Sequence, residues 1–161
     1  MKCALPITIK EQYLLDFLAE SNRIDGIPEG DVTAHQYAVA EKFLALENIT
    51  VGDVCGFVEV FQPGAKLRER FGMNVRIGNY SPPPGSPEIR DRLESLLTYV
   101  NDGEGFDGHT YRAHQNYESL HPFTDCNGRS GRIIWLWMMG GRAPLGFLHT
   151  WYYQSLAHSA R

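Results

Sequence analysis

The segment from Arg129 to about Met139 constrains the fold more than any other part of the chain. After Arg132 it reads IIWLWMM, and glycines and Pro144 follow it. A helix that is apolar nearly all round has to be surrounded by other elements, and this run is too short to span a bilayer. We therefore expect a buried central helix on which the rest of the domain packs.

Apolar residues recur at helical spacing in further segments, at about residues 8–25, 34–48, 87–100, 109–121 and 145–160. Residues 50–62 are compatible with a strand or a helix, and we favour the helix. Pro122 disfavours helical backbone at His121, so one helix should end there. Two short runs around Gly72 indicate a β-hairpin. The sequence predicts an all-α helical bundle with one β-hairpin at residues 64–80.

Length and composition indicate one globular domain, and the cysteine pattern and the N-terminal segment favour the cytoplasm. The chain has 161 residues, 43% of them hydrophobic and 21% charged. A net charge of -4 argues against general nucleic-acid binding. The three cysteines are far apart, so they suggest neither a disulfide framework nor a CxxC metal site. The N-terminus lacks a signal-like apolar stretch, and no membrane association is expected.

The loop before the central helix carries charges that an isolated helix would not favour. Arg129 and Arg132 lie near a helix N-terminus, where cations are unfavourable unless an anion is bound over it. Asn127-Gly128 allows consecutive N–H groups to form a concave anion nest. The simpler alternative is an ordinary turn with both arginines in solvent. We favour a site for more than one phosphate.

Two further side chains in this loop suggest catalysis. His121 titrates near neutral pH and could act as a base. Asp125 could hold Mg²⁺, the usual partner of phosphates, although it could also simply cap the helix. Together with the arginines, these residues predict phosphoryl or nucleotidyl transfer.

The loop HPFTDCNGRSGR, residues 121–132, resembles the signature HPFx(D/E)GNGRxxR of Fic domains and differs from it only at Cys126. Residues 64–89 are similar to the Fic flap hairpin and Pro-rich connector, and WYYQSL, residues 151–156, resembles the closing helix. The resemblance implies one Fic-like domain over residues 1–161, with an inhibitory-helix region at residues 1–30, a flap at 64–80 and the signature loop at 121–132.

Similarity to Fic enzymes implies transfer of AMP from ATP, with Mg²⁺, to a Ser, Thr or Tyr hydroxyl of a target protein. His121 would accept the hydroxyl proton, and Asp125 would bind Mg²⁺. The remaining nucleotide-binding residues would be Cys126, Asn127, Gly128, Arg129 and Arg132, the last of these on the γ-phosphate. The target would bind through the flap hairpin by strand addition. Arg68, Arg70 and Arg76 in that hairpin are either solvated or face an acidic partner.

Cys126 departs from the family pattern, which has glycine at that position. A positive φ there would be strained for cysteine. Doc toxins, which are related kinases, also lack this glycine, so two alternatives stay open: a Doc-like protein kinase and an inactive binding module. The Cys126 thiol could have a lowered pKa at a helix N-terminus, or be inert. Retention of Gly128 favours nucleotidyl transfer.

Ser21, Asp25 and Gly26 resemble the inhibitory motif (S/T)xxxE(G/N), with Asp in place of Glu. The alternative is a helix that simply ends at Gly26. Because Asp is shorter by one methylene, we expect a longer and weaker pair with Arg132, either direct or bridged by water, if the helix lies at the usual distance. The hypothesis is therefore partial autoinhibition. Homo-oligomer formation stays open.

Overall fold

This computed structural model describes residues 7–103 and 109–140, which fold into six α-helices. They are α1 (Ile7–Ile24), α2 (Ala34–Leu44), α3 (Val51–Phe61), α4 (Glu88–Asn101), α5 (His109–Leu120) and α6 (Asn127–Met138). The all-α prediction is confirmed for these residues, and residues 50–62 form a helix and not a strand. The helix predicted at 145–160 lies outside the described residues.

Helix α6 lies at the centre of the described fold, as the sequence predicts. It contacts α1, α2, α3 and α5. Its buried residues are Asn127, Arg129, Ser130, Gly131, Arg132, Ile133, Ile134, Trp135 and Leu136. Burial of the four apolar side chains, those of Ile133, Ile134, Trp135 and Leu136, contributes about 1.5–3 kcal/mol each. Within residues 7–103 and 109–140, no helix is both long and apolar enough to cross a membrane.

Local signals set the helix boundaries. Thr33 caps α2 and exchanges hydrogen bonds with Gln36, and Thr50 does the same with Asp53 at the start of α3. Helix α5 ends at Leu120, and the next residue, His121, has a φ of 50°. The boundary predicted from Pro122 is therefore confirmed.

The predicted β-hairpin at residues 64–80 is not shown by the structure. Within this flap segment the described residues form only isolated bridges, Leu67 with Phe123 and Ile77 with Tyr80. The reason lies in the backbone partners. The Arg68 N–H donates to the Pro122 carbonyl at 2.8 Å, and the Thr124 N–H donates to the Lys66 carbonyl at 2.8 Å. The start of the segment thus pairs with the signature loop and not with its own second half.

Candidate active site

Two residues with positive φ give the signature loop its shape. His121 has a φ of 50° and Cys126 a φ of 68°, in the left-handed region that favours glycine. Cys126 is the N-cap of α6 and provides no side-chain cap. The strain that the sequence suggested at Cys126 is therefore present, at about 1–2 kcal/mol for a residue with a Cβ.

Asp125 does not cap the first turn of α6. Its Oδ1 accepts a hydrogen bond from the neighbouring Cys126 N–H at 2.7 Å, and the residue is exposed at the rim of the loop. A carboxylate held in this way keeps its second oxygen available.

Asn127 closes the loop through its side chain. Its Oδ1 accepts from the Phe123 N–H at 2.8 Å, and its Nδ2 donates to the Phe123 carbonyl at 2.8 Å. The side-chain amide is therefore used for structure. Among the described residues, the backbone N–H groups of Asn127 and Gly128 have no acceptor. They are therefore in place to form the anion nest that the sequence predicts.

Asp25, just after α1, places its carboxylate at this nest. Its Oδ2 accepts from the Arg129 backbone N–H at 3.2 Å and pairs with Arg129 Nε at 3.1 Å. Its Oδ1 pairs with Arg132 Nη2 at 2.9 Å. The expectation of a long, water-bridged pair with Arg132 is wrong, because Asp25 lies close enough to reach both arginines directly.

The two arginines are buried and not solvated. The side chains of Arg129 and Arg132 are 5% and 1% exposed. Arg132 Nε donates to Ser21 Oγ at 2.7 Å and its Nη2 donates to the Ser21 carbonyl at 2.9 Å. Arg129 Nη1 donates to the Phe61 carbonyl at 2.8 Å. The pair of Asp25 with Arg132 is the contact that the motif resemblance implies, and Ser21 binds the same guanidinium.

Gly26 serves the turn after α1. It has a φ of 87°, and a Cβ there would meet nothing within 4 Å. The Gly26 N–H donates to the Arg23 carbonyl at 3.0 Å. The helix-terminator interpretation of Gly26 is therefore correct, and it is compatible with the placement of Asp25.

Gly128 is required by close packing under Asp25. A Cβ at this position would lie 2.7 Å from Asp25 Oδ1 and 2.9 Å from Arg132 Nη1. A side chain at this position would therefore force the Asp25 carboxylate and the Arg132 guanidinium away from their present places at the start of α6.

His121 is suited to accept a proton. Its Nδ1 lies 3.3 Å from the Glu118 carbonyl, which can only accept, so Nδ1 carries the proton and Nε2 keeps a lone pair. Burial lowers the pKa of His121, with a smaller lowering by the Arg68 charge, whereas the Glu118 hydrogen bond and the charges of Asp125 and Asp25 oppose this. The imidazole is therefore neutral near pH 7.

A cavity of about 460 Å³ brings Asp25, His121 and Asp125 together, whereas Arg129 and Arg132 lie behind Asp25 and do not line it. It is lined on one side by the signature loop and on the other by the flap segment, and its residues are Asp25, Val75, Arg76, Ile77, His121, Thr124, Asp125, Cys126, Asn127 and Gly128. Two clefts of about 530 Å³ elsewhere on the surface do not include His121 or Asp125. The smaller cavity is therefore the candidate active site.

Cys126 is not a reactive thiol in this environment. It is 2% exposed, and burial raises its pKa to about 12. The low-pKa possibility raised by its place at a helix N-terminus is wrong, because loss of solvation outweighs the attraction of the nearby arginines.

Within residues 7–103 and 109–140, no group of three or more His, Cys, Asp and Glu side chains is arranged to hold a metal ion. Mg²⁺ is commonly held by one or two carboxylates together with substrate phosphates, so its binding does not depend on such a group. Asp125 is the carboxylate of the loop that lines the cavity, so the residues present fit a nucleotide-bound Mg²⁺.

Comparison with known families agrees with this geometry. The model of the Fic/DOC family matches residues 40–139. The chain belongs to the Fic/DOC family. The match includes the whole signature loop and the flap segment, and members of this family are typically transferases. Ser21 and Asp25 precede the matched range, so the family match does not bear on their role.

Sequence reasoning missed the role of Arg68. The pattern predicts this residue in solvent or facing a partner, whereas it is 0% exposed and donates to four backbone carbonyls. Every residue has a backbone carbonyl, so no sequence motif could reveal that Arg68 binds these particular ones. Arg70 and Arg76 are both exposed, and the neighbours of Arg70, Phe71 and Gly72, are exposed too. This agrees with the expectation that these two arginines are solvated.

Proposed function

We propose that this Fic/DOC protein is a protein adenylyltransferase that transfers AMP from ATP to a Ser, Thr or Tyr hydroxyl of a target protein. The observation that carries the proposal is the Asp25 carboxylate bound between Arg129 and Arg132 over the start of α6. A carboxylate held there supports the proposal of an anion site, and Asp25 lines the same cavity as a neutral histidine.

In the proposed reaction, the target hydroxyl oxygen forms a bond to the α-phosphorus, and the bond from that phosphorus to the α,β-bridging oxygen breaks. His121 Nε2 takes the hydroxyl proton, and pyrophosphate leaves. The Nδ1 hydrogen bond to the Glu118 carbonyl orients the imidazole and would stabilise its protonated form.

Nucleotide phosphates would bind the N–H groups of Asn127 and Gly128, with the loop backbone at Cys126 shaping the nest. Arg129 and Arg132 would supply positive charge, Arg132 toward the γ-phosphate. Asp125 would hold Mg²⁺, which when bound neutralises charge on the phosphate oxygens. The flap segment borders the same cavity and would present the target hydroxyl.

The arrangement of Asp25 supports autoinhibition. Both Asp25 oxygens bind groups that the phosphates would use, and Ser21 holds the Arg132 guanidinium. ATP would therefore bind productively only after the Asp25 carboxylate leaves the nest. We propose that this closed form limits activity more strongly than a water-bridged contact would.

Labelled ATP tests the proposal and separates it from the alternatives. The protein and Asp25→Gly are incubated with Mg²⁺, a lysate and ATP labelled at the α- or the γ-phosphate. Protein label from α alone is expected. Label from γ alone would instead indicate a Doc-like kinase, and absence of both in Asp25→Gly would indicate a binding module. Label that survives His121→Ala would refute the role of the base.

A further inference from the structure

Arg68 is a buried cation with an unusual set of partners. Its side chain is fully buried, and it makes no ion pair with any described residue. Nε donates to the His121 carbonyl at 2.7 Å, and Nη2 donates to the Leu120 carbonyl at 2.9 Å. Nη1 donates to the Met73 carbonyl at 3.1 Å and to the Pro83 carbonyl at 2.8 Å.

Arg68 binds three consecutive carbonyls. Its guanidinium binds those of Leu120 and His121, and its backbone N–H binds that of Pro122 at 2.8 Å. His121 lies in the middle of this run with a φ of 50°, a conformation that side chains with a Cβ rarely adopt. One residue therefore clamps the backbone on both sides of the strained position.

The electrostatics explain why a cation without a carboxylate is stable there. The partial negative charge at the C-terminal end of α5 falls on carbonyls such as that of Leu120, which Arg68 binds. Every guanidinium nitrogen donates at least one hydrogen bond, so the cost of burial is largely offset. An apolar side chain could not satisfy these carbonyls.

We propose that Arg68 is a positioning residue for the base: it fixes the backbone of His121 and couples it to the flap segment through Met73 and to the connector through Pro83. The catalytic meaning of this clamp rests on the function proposed above. The clamp itself does not, because it concerns the conformation of His121 in the free protein.

Arg68 also acts on the imidazole through its charge. Burial is the main cause of the lowered pKa of His121, and the positive charge of Arg68 adds to it. The other groups acting on the ring are the Glu118 carbonyl and the Asp125 and Asp25 carboxylates, all of which raise this pKa. Without Arg68, burial would be the only one of these influences that lowers the His121 pKa, and all the others would raise it.

The test compares Arg68→Lys and Arg68→Met with Arg92→Met, which removes an exposed arginine from α4. Nitrogen-15 NMR of the histidine rings reports the tautomer and pKa of His121 without any substrate. The buried His114, whose pKa burial lowers to about 3, serves as an internal signal of native packing. Arg68→Lys keeps a cation in the buried position, so it can be measured even if Arg68→Met fails to fold.

In a folded Arg68 variant, we expect the Nδ1–H form of His121 to lose its dominance while the His114 signals stay native. In Arg68→Met the His121 pKa should also rise. The ammonium introduced by Arg68→Lys lacks the planar fork of a guanidinium and should not restore the tautomer. Unchanged His121 signals in folded Arg68→Lys would overturn the proposal, since a residue that only stabilises the fold would leave the His121 ring as it is.

Enzyme kinetics provide the second measurement. In the Asp25→Gly background, Arg68→Lys should lower kcat for α-label transfer by on the order of 10²-fold, as expected for a misplaced catalytic group. The ATP dissociation constant should be unchanged, because Arg68 does not contact the anion nest. Loss of ATP affinity with kcat unchanged would contradict the proposal. If no variant transfers label, the proposed function fails, whereas the NMR result still decides the clamp.

Discussion

Removal of the Asp25 carboxylate should open the nucleotide site. In the closed form, Asp25 accepts hydrogen bonds from the Arg129 N–H, Arg129 Nε and Arg132 Nη2 at 2.9–3.2 Å. In the proposed mechanism, ATP would have to displace all three contacts before its phosphates could reach the nest. Asp25→Gly removes this competition and leaves the contacts of Arg132 with Ser21 intact.

The magnitude follows from the contacts that are displaced. A hydrogen bond to a charged group contributes about 1.5–3 kcal/mol net. The Asp25 side chain is 23% exposed, so water compensates part of the loss. Water would also hydrate the freed carboxylate and arginines, so we take the net advantage of the closed form as that of about one such hydrogen bond, about 1.5–3 kcal/mol. This is equivalent to roughly a 10- to 150-fold change in apparent ATP affinity.

Isothermal titration with Mg²⁺ and ATP measures this change, and thermal denaturation without nucleotide provides a second readout. Asp25→Gly should bind ATP more tightly yet melt at a lower temperature without it, because Arg129 and Arg132 lose their carboxylate. ATP should then raise the melting temperature of the variant more than that of the parent.

Glu29→Gly is the matched control, because it removes an exposed carboxylate from the same connection between α1 and α2. It should bind ATP like the parent. Equal ATP affinity of Asp25→Gly and the parent, with equal melting temperatures, would refute the reasoning.

Three further predictions concern the loop itself. Gly128→Ala should destabilise the free protein by about 1–3 kcal/mol, because its Cβ would overlap Asp25. In a double-mutant cycle by chemical denaturation, Asp25→Gly should relieve part of this loss, since the Cβ would still lie 2.9 Å from Arg132 Nη1, and additive effects would contradict the contact with Asp25. Transfer activity should be full at neutral pH and fall as the pH drops through the lowered pKa of His121, since the protonated ring cannot accept a proton. A rate that already declines above pH 6.5, the ordinary pKa of histidine, would exclude this base. Iodoacetamide at neutral pH should leave Cys126 unmodified in mass spectrometry of the native protein, because burial keeps the thiol protonated, and rapid modification would contradict this.

The sequence predicts the helices well where apolar residues, prolines or capping residues mark them along the chain. The apolar stretch after Arg132 predicts the central helix α6, and Pro122 predicts the end of α5. The capping residues Thr33 and Gln36 mark the start of α2. These features are local, so a single sequence contains them.

The flap segment differs from its predicted hairpin because its hydrogen-bond partners are distant in sequence. Lys66 and Arg68 bind residues 122–124, and no local pattern distinguishes this pairing from a hairpin. The role of Arg68 escapes sequence reasoning on the same ground, since most of its acceptors are carbonyls of other segments.

The candidate site could be predicted in residue types but not in contacts. The signature indicates that Arg129 and Arg132 serve an anion site. It does not indicate that Asp25 reaches both of them, since this depends on where α1 packs against α6. Nor does it indicate that the Asn127 amide binds Phe123 while its backbone N–H stays available.

The most direct test of the account is transfer of the α-phosphate label by Asp25→Gly, compared with the same protein carrying His121→Ala as well. We expect Asp25→Gly to label protein from α-labelled ATP and to give no signal with γ-labelled ATP, and we expect the additional loss of His121 to abolish transfer. Both forms should bind ATP, because His121 is not part of the anion nest. Protein label from γ-labelled ATP, or undiminished α-label transfer without His121, would contradict it.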